Sequence, residues 1–177
     1  MYDLPMLLIL AIILFLAIGL PGLLFAPWVP TKRRDFDRVN ALMEIEPGMH
    51  IFDLGCGSGG VLFELAKRHP HATFEGIELS FVLYLICMVR KWINKNPNVR
   101  FRLGNLLTAD ISNADRIYLF GTPKGLTERL KAKFKKEAKP DTRIISYCFE
   151  ITGWEPEQIA ESKKTFLPVF RYKVPNK

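Results

Sequence analysis

Apolar residues along the chain form one long unbroken run, several short runs, and several stretches at helical spacing. From Leu4 to Ala26 there is no charge, and nearly every residue is Leu, Ile, Ala, Phe or Met. That run of about 23 residues exceeds the ~20 that a helix needs to cross ~30 Å of hydrocarbon, and it predicts a transmembrane anchor over residues 1–27. A cleaved signal peptide would need a basic start, which Met1-Tyr2-Asp3 does not supply. Pro27 and Pro30 then make residues 28–34 a stiff linker, with Trp28 at interfacial depth and a folded domain over 35–177. Lys32, Arg33, Arg34 and Arg38 follow the run, whereas only Asp3 precedes it. The positive-inside rule therefore predicts a single-pass membrane protein with its domain in the cytoplasm.

Within the domain, helical spacing predicts helices over Asp35 to Ile45, Gly60 to Arg68, the stretch after Ser80 to about Asn94, and about Gly125 to Ala138. Ser80 reads as the N-cap of the third, whose apolar run is cut by Arg90 and Lys91 and is too short to be a second span. Short apolar runs predict strands over Met49 to Leu54, Ala72 to Ile77, Val99 to Leu103, Arg116 to Phe120, Arg143 to Phe149 and Thr165 to Val174. Strands and helices alternating at these lengths imply an α/β fold, with a mainly parallel, Rossmann-like sheet covered on both faces.

Composition narrows the class. With 177 residues and 49% hydrophobic content the chain can bury a core, which argues against a disordered protein. The net charge of +7 comes from the juxtamembrane group and from a basic run between Lys124 and Lys139. A solvated helix face or anionic headgroups account for it, and no nucleic-acid partner is expected. Cys56, Cys87 and Cys148 form no CxxC pair, so neither a disulfide framework nor a zinc site is suggested. His69 and His71, flanking Pro70 in a helix-to-strand loop, read as surface residues, His50 carries little weight, and no metal is expected.

The chemistry concentrates in Asp53-Leu54-Gly55-Cys56-Gly57-Ser58-Gly59-Gly60, between the first strand and the first helix of the alternating series. Glycines there allow a tight turn and close backbone approach to a ligand facing helix N–H groups. Glu78 ends the second strand 19 residues after Gly59, about the distance at which a carboxylate accepts hydrogen bonds from ribose hydroxyls. Loop, strand order and Glu78 together predict a nucleoside-containing ligand.

Asp-x-Gly-x-Gly-x-Gly after the first strand, with an acidic residue ending the second, resembles the class I S-adenosylmethionine-dependent methyltransferases. The resemblance implies S-adenosyl-L-methionine as cofactor. It implies that Asp53, Gly55, Cys56, Gly57 and Gly59 hold the methionine moiety, Glu78 and Leu79 the ribose, and Asn105 and Leu106 the adenine. Phe120-Gly121-Thr122-Pro123, Arg143 to Phe149, and Trp154-Glu155-Pro156 resemble more narrowly a set of small membrane-anchored protein-lysine methyltransferases. Mitochondrial members of that set modify the ATP synthase c-subunit and the adenine nucleotide translocase. Thr122 stands where they commonly have Val, and Ser58 where they have an acidic residue. The narrower resemblance implies N-methylation of a lysine on a membrane protein. Phe120, Gly121, Thr122 and Pro123 would then form the mouth that orients the amine, with Glu150 and Trp154 as further candidates. A methyltransferase for a lipid amine, and a cofactor-binding scaffold without turnover, are the competing readings.

Overall fold

The computed structural model describes residues 3–13, 29–122, 128–161 and 167–175. Residues 4–13 form a helix, α1, whose apolar side chains are exposed. The rest of the predicted span lies outside the described residues, and among the described residues no helix is long and apolar enough to cross a membrane.

The domain follows in the order α2 (Phe36–Met43), β1 (His50–Leu54), α3 (Gly60–Arg68), β2 (Thr73–Glu78), α4 (Phe81–Asn94), β3 (Val99–Leu103), β4 (Arg116–Leu119), α5 (Glu128–Glu137), β5 (Arg143–Tyr147), β6 (Gln158–Ala160) and β7 (Val169–Lys173). The seven strands form one sheet ordered β3-β2-β1-β4-β5-β7-β6. Pairing is parallel from β3 through β5, and antiparallel between β5 and β7 and between β7 and β6. This is a mixed, Rossmann-like sheet. The order reverses between β1 and β4, so the carboxyl ends of these two strands open the crevice where such folds take ligands.

Alternation along the strands decides which helix covers which face. Ile51, Phe74, Tyr118, Ile145 and Val169 point into one core with α2, α3 and Cys87 of α4. Phe52, Ile77, Ile117, Ile144 and Phe170 point into the other, with Leu130 and Phe134 of α5. Because side chains have a period of two in a strand, the largely buried runs of β1, β4 and β5 feed both cores at once.

Several expectations need correction. The crossover from β3 to β4 is not among them: no helix is expected there, and residues 104–115 cross over as turns, because Leu103 to Asp115 lacks any apolar stripe at helical spacing. The strand β6 was not predicted, since a three-residue edge strand with exposed Gln158 and Ile159 has no periodic signal. The final strand begins at Val169 rather than Thr165, and residues 162–166 lie outside the described residues. The fifth strand ends at Tyr147 because Cys148 turns into the left-handed region at φ 74.

The segment read as a free linker is docked at its end. Thr31 Oγ1 hydrogen-bonds the Tyr118 hydroxyl at 2.7 Å, and Arg33–Asp35 form a 3-10 turn leading into α2. Buried Arg116 caps the other end of α2 by donating to the carbonyls of Met43 and Glu44. A buried cation at a helix C-terminus satisfies carbonyls that the helix leaves open.

Gly76 in β2 sits where a side chain cannot fit: a Cβ there would lie 2.7 Å from Cys56 Sγ and from Phe101, and 2.9 Å from Leu62. Gly76→Ala should lower stability by about 1–3 kcal/mol through overpacking, read from the denaturant midpoint at unchanged m-value.

Candidate active site at the carboxyl ends of the strands

The turn after β1 uses three glycines in the left-handed region, Gly55 at φ 83, Gly57 at φ 55 and Gly59 at φ 73. The last two differ in role from the first. Gly59 starts α3, and a Cβ on it would fall 2.8 Å from the Phe101 ring, so its smallness serves packing. Gly55 is exposed and has nothing within 4 Å of its would-be Cβ, which leaves backbone open for a ligand. The turn is pinned to β2, since the N–H groups of Gly55 and Cys56 both donate to the Ile77 carbonyl at 2.9 and 3.1 Å.

Glu78 gathers the loops. Its Oε2 accepts the Gly57 N–H and its Oε1 the Ser80 N–H, each at 2.8 Å. Its own carbonyl accepts the Gly104 N–H at 2.8 Å, drawing the end of β3 alongside. The glycine turn and the start of α4 thus meet at the Glu78 carboxylate, and the end of β3 is held by the main-chain carbonyl of the same residue. Each carboxylate oxygen retains a further lone pair for a ligand hydroxyl.

Asp53 lies in β1 beside Tyr118 of β4 and Gly76 of β2, and is 2% exposed. Burial and the neighbouring Glu78 charge push its carboxyl well above the ordinary range. Burial also raises Glu78, against the pull of its backbone hydrogen bonds. Two buried carboxyls that disfavour each other's ionisation form a site for a cation. S-adenosylmethionine, which carries an ammonium and a sulfonium, meets that requirement. Cys56 and Cys87 are buried free thiols beneath the turn; Cys87 donates to the Gly57 carbonyl at 3.1 Å. Their mutual hydrogen bond and burial raise the Cys56 thiol, so it packs rather than reacts.

Leu79 is half-buried beside Glu78, and Ser80 caps α4 by accepting the Leu83 N–H at 3.5 Å. Asn105 follows β3, but its Oδ1 already accepts the Leu107 N–H at 2.9 Å and shapes the turn. Its amide N–H groups and the second lone pair are what it can offer an adenine. Leu106, half-buried, packs on the α5-side core.

The ends of β4 and β5 meet in an aromatic cluster. The Phe120 ring stands edge-on to Tyr147 at 4.8 Å and stacks with Phe149 at 6.5 Å. Gly121 and Thr122 continue this rim, half-buried, while Pro123 lies outside the described residues. Glu150 is exposed on the loop beyond β5. Trp154 packs between Phe134 at 6.3 Å and Tyr172 at 6.4 Å, which makes it a core residue rather than part of the mouth.

Sequence reasoning missed a polar cluster under this rim. Asp35, 1% exposed, accepts the Tyr147 hydroxyl at 2.6 Å and the Arg38 guanidinium at 2.7 Å. Burial opposes ionisation of Asp35, but the Tyr147 hydroxyl and Arg38 outweigh it and hold the carboxyl low. Burial and the bond to Asp35 raise Tyr147, which stays neutral. Arg38 also donates to the carbonyls of Ala160 and Leu167, tying α2 to the β6–β7 edge. The only hint in the sequence is a tyrosine ending an otherwise apolar strand.

Known proteins resemble this arrangement. The ANTKMT methyltransferase domain matches residues 53–158. Over 136 residues the chain is 31% identical to a protein-lysine N-methyltransferase of Saccharolobus islandicus, covering 75% of this chain and 83% of that protein. It is 29% identical over 130 residues to a tRNA (adenine(58)-N(1))-methyltransferase of Thermus thermophilus, covering 70% of this chain and 49% of that protein. An RNA methyltransferase of Salinibacter ruber, crystallised with S-adenosyl-L-homocysteine, superposes with a TM-score of 0.78 at 27% identity, over 84% of this chain and 95% of that one.

Asp53→Asn should weaken S-adenosylmethionine binding roughly 10- to 100-fold in calorimetry, the loss of one charge-assisted hydrogen bond. The same change should raise the melting temperature of the ligand-free protein. A raised carboxyl binds its proton more tightly folded than unfolded, so its contribution to stability falls as pH rises from about 4 through the raised value. The gap between variant and wild type should therefore widen with pH across that window. A gap independent of pH would show that Asp53 is not strained by its charge.

Proposed function

We infer that this chain methylates the side-chain nitrogen of a lysine, and the inference starts from family: the chain belongs to the ANTKMT methyltransferase domain family, matched over residues 53–158. It is an S-adenosylmethionine-dependent methyltransferase. The observation that carries the reading is Glu78, which joins the glycine turn to the ends of β2 and β3 at a single cation-seeking pocket.

Bound there, the cofactor supplies a methyl group on a positively charged sulfur. Asp53 and Glu78 hold the cationic and ribose parts, and Gly55 lets the backbone come close. Phe120 and Phe149 wall the opening between β4 and β5, with buried Tyr147 beneath Phe120, adjoining Asp53 through the Asp53–Tyr118 register. An incoming lysine, with a reference pKa of ~10.4, must be neutral to attack, and an apolar wall favours the neutral amine. The wall also excludes water and restricts approach to one line, where most of the available rate gain lies. Asp35 and Arg38 act through Tyr147, which they fix in place beneath Phe120.

Lysine as acceptor is supported by the 31% identity to the Saccharolobus enzyme. Attachment to a membrane, a cytoplasmic domain and an acceptor on a membrane protein are supported by the apolar run from Leu4 to Ala26 and the cations that follow it.

Incubation of the full chain with tritiated S-adenosylmethionine and membrane fractions should leave alkali-stable label in methyl-lysine. Label confined to lipid extracts would move the acceptor to a lipid amine, and label in RNA would overturn the lysine reading. Cofactor binding without turnover on any fraction would leave a scaffold. Phe120→Ala should lower kcat/KM roughly 10- to 100-fold by misplacing the amine, with affinity for S-adenosylhomocysteine unchanged.

A further inference from the structure

The helix α4 is apolar on two sides, and among the described residues only one of them is packed against the domain. Leu83 and Cys87 face the sheet. On the opposite side Phe81 is 55% exposed, Leu85 45%, Val89 56%, Trp92 80% and Ile93 63%. Their spacing keeps them on one continuous stripe. A monomer rarely leaves so large a contiguous apolar patch bare unless it is a binding surface.

Charge narrows the occupant. From Leu79 to Ala109 the chain carries Arg90, Lys91, Lys95, Arg100 and Arg102 and no Asp or Glu. Arg90 is turned inward, donating to the Ser58 carbonyl and lying 4.9 Å over the Phe63 ring. Lys91 and Lys95 instead flank the stripe, lining with Met88, Trp92, Asn96 and Pro97 a groove of about 420 Å³. A second copy docked face to face would set lysines against lysines, with no carboxylate on either α4 to answer them. Anionic headgroups beside acyl chains answer both the lysines and the stripe, and an exposed tryptophan suits that boundary.

We propose that the outer face of α4 lies in the interfacial layer of an anionic lipid bilayer, with Trp92 at the acyl boundary and Lys91 and Lys95 on headgroups. The contact differs from a span, because α4 has 14 residues and lies along the surface. It rests on the fold and not on the identity of the methyl acceptor. It also has a consequence for the site: α4 is capped by Ser80, whose N–H is bonded to Glu78, so docking holds the cofactor pocket near the lipid.

The test reconstitutes the full chain in vesicles of phosphatidylcholine and phosphatidylserine, with the phosphatidylcholine acyl-brominated in one set. The emission that Trp92→Phe removes is the signal. Brominated chains should quench it and aqueous iodide should not reach it. Lys91→Gln with Lys95→Gln should lower the docked-to-free ratio roughly 25-fold in these vesicles and leave it unchanged in neutral ones, at about 1 kcal/mol per cation near an anionic surface. A Trp92 signal open to iodide and untouched by bromine would overturn the proposal. So would shielding from both quenchers, which would mean that residues 4–26 or another protein cover the face, and so would an equal effect of the lysine changes in neutral vesicles. Binding of S-adenosylhomocysteine by each variant reports folding and keeps a failure here separate from a failure of the methyltransferase reading.

Discussion

The Glu78 carboxylate organises the catalytic end of this protein. It is buried, its two oxygens accept the N–H groups of Gly57 and Ser80, and the main-chain carbonyl of the same residue accepts the Gly104 N–H. Without those bonds the charge would be an uncompensated anion under three loops. With them, the glycine turn, the start of α4 and the end of β3 become one rigid unit. Asp53 then supplies a second carboxyl whose ionisation the first opposes, and the pocket waits for positive charge.

The proposed acceptor side is built on different physics. Aromatic rings from β4 and β5 meet edge-on and stacked at the mouth. Beneath them the polar contacts of Asp35, Arg38, Tyr147, Thr31 and Tyr118 tie the approach to α2 onto the sheet. The cofactor side thus relies on local backbone geometry, whereas the acceptor side depends on segments distant in the chain. Variation in Phe120 to Thr122 or in the approach to α2 can change which nucleophile enters while the cofactor pocket stays constant. That separation is consistent with lysine, tRNA and RNA methyltransferases all appearing among the similar proteins.

Much was legible in the sequence where the controlling interaction is local. The alternation of apolar runs with helical stripes located β1 to β5 and α2 to α4, because burial on both sheet faces demands unbroken apolar strands. The glycine turn was legible because three left-handed residues in five positions tolerate little else. Glu78 was legible by its distance from that turn, and Ser80 as a cap by its place before an apolar helix.

Only the tertiary structure decided the rest. The bond from Tyr147 to Asp35 joins residues 112 apart, and no local pattern marks either partner. The β6–β7 edge and the packing of Trp154 depend on which surfaces the fold leaves to be covered. The same is true of α4: its sequence is apolar around most of its circumference, and whether that means core or interface depends on what lies opposite. By itself the sequence determined the succession of strands and helices in the nucleoside-binding half and the turn chemistry, since those follow from local burial patterns and backbone sterics within a few residues. Side-chain partners, exposure and the shape of the acceptor mouth arise from segments brought together across the chain, which one-dimensional spacing does not encode.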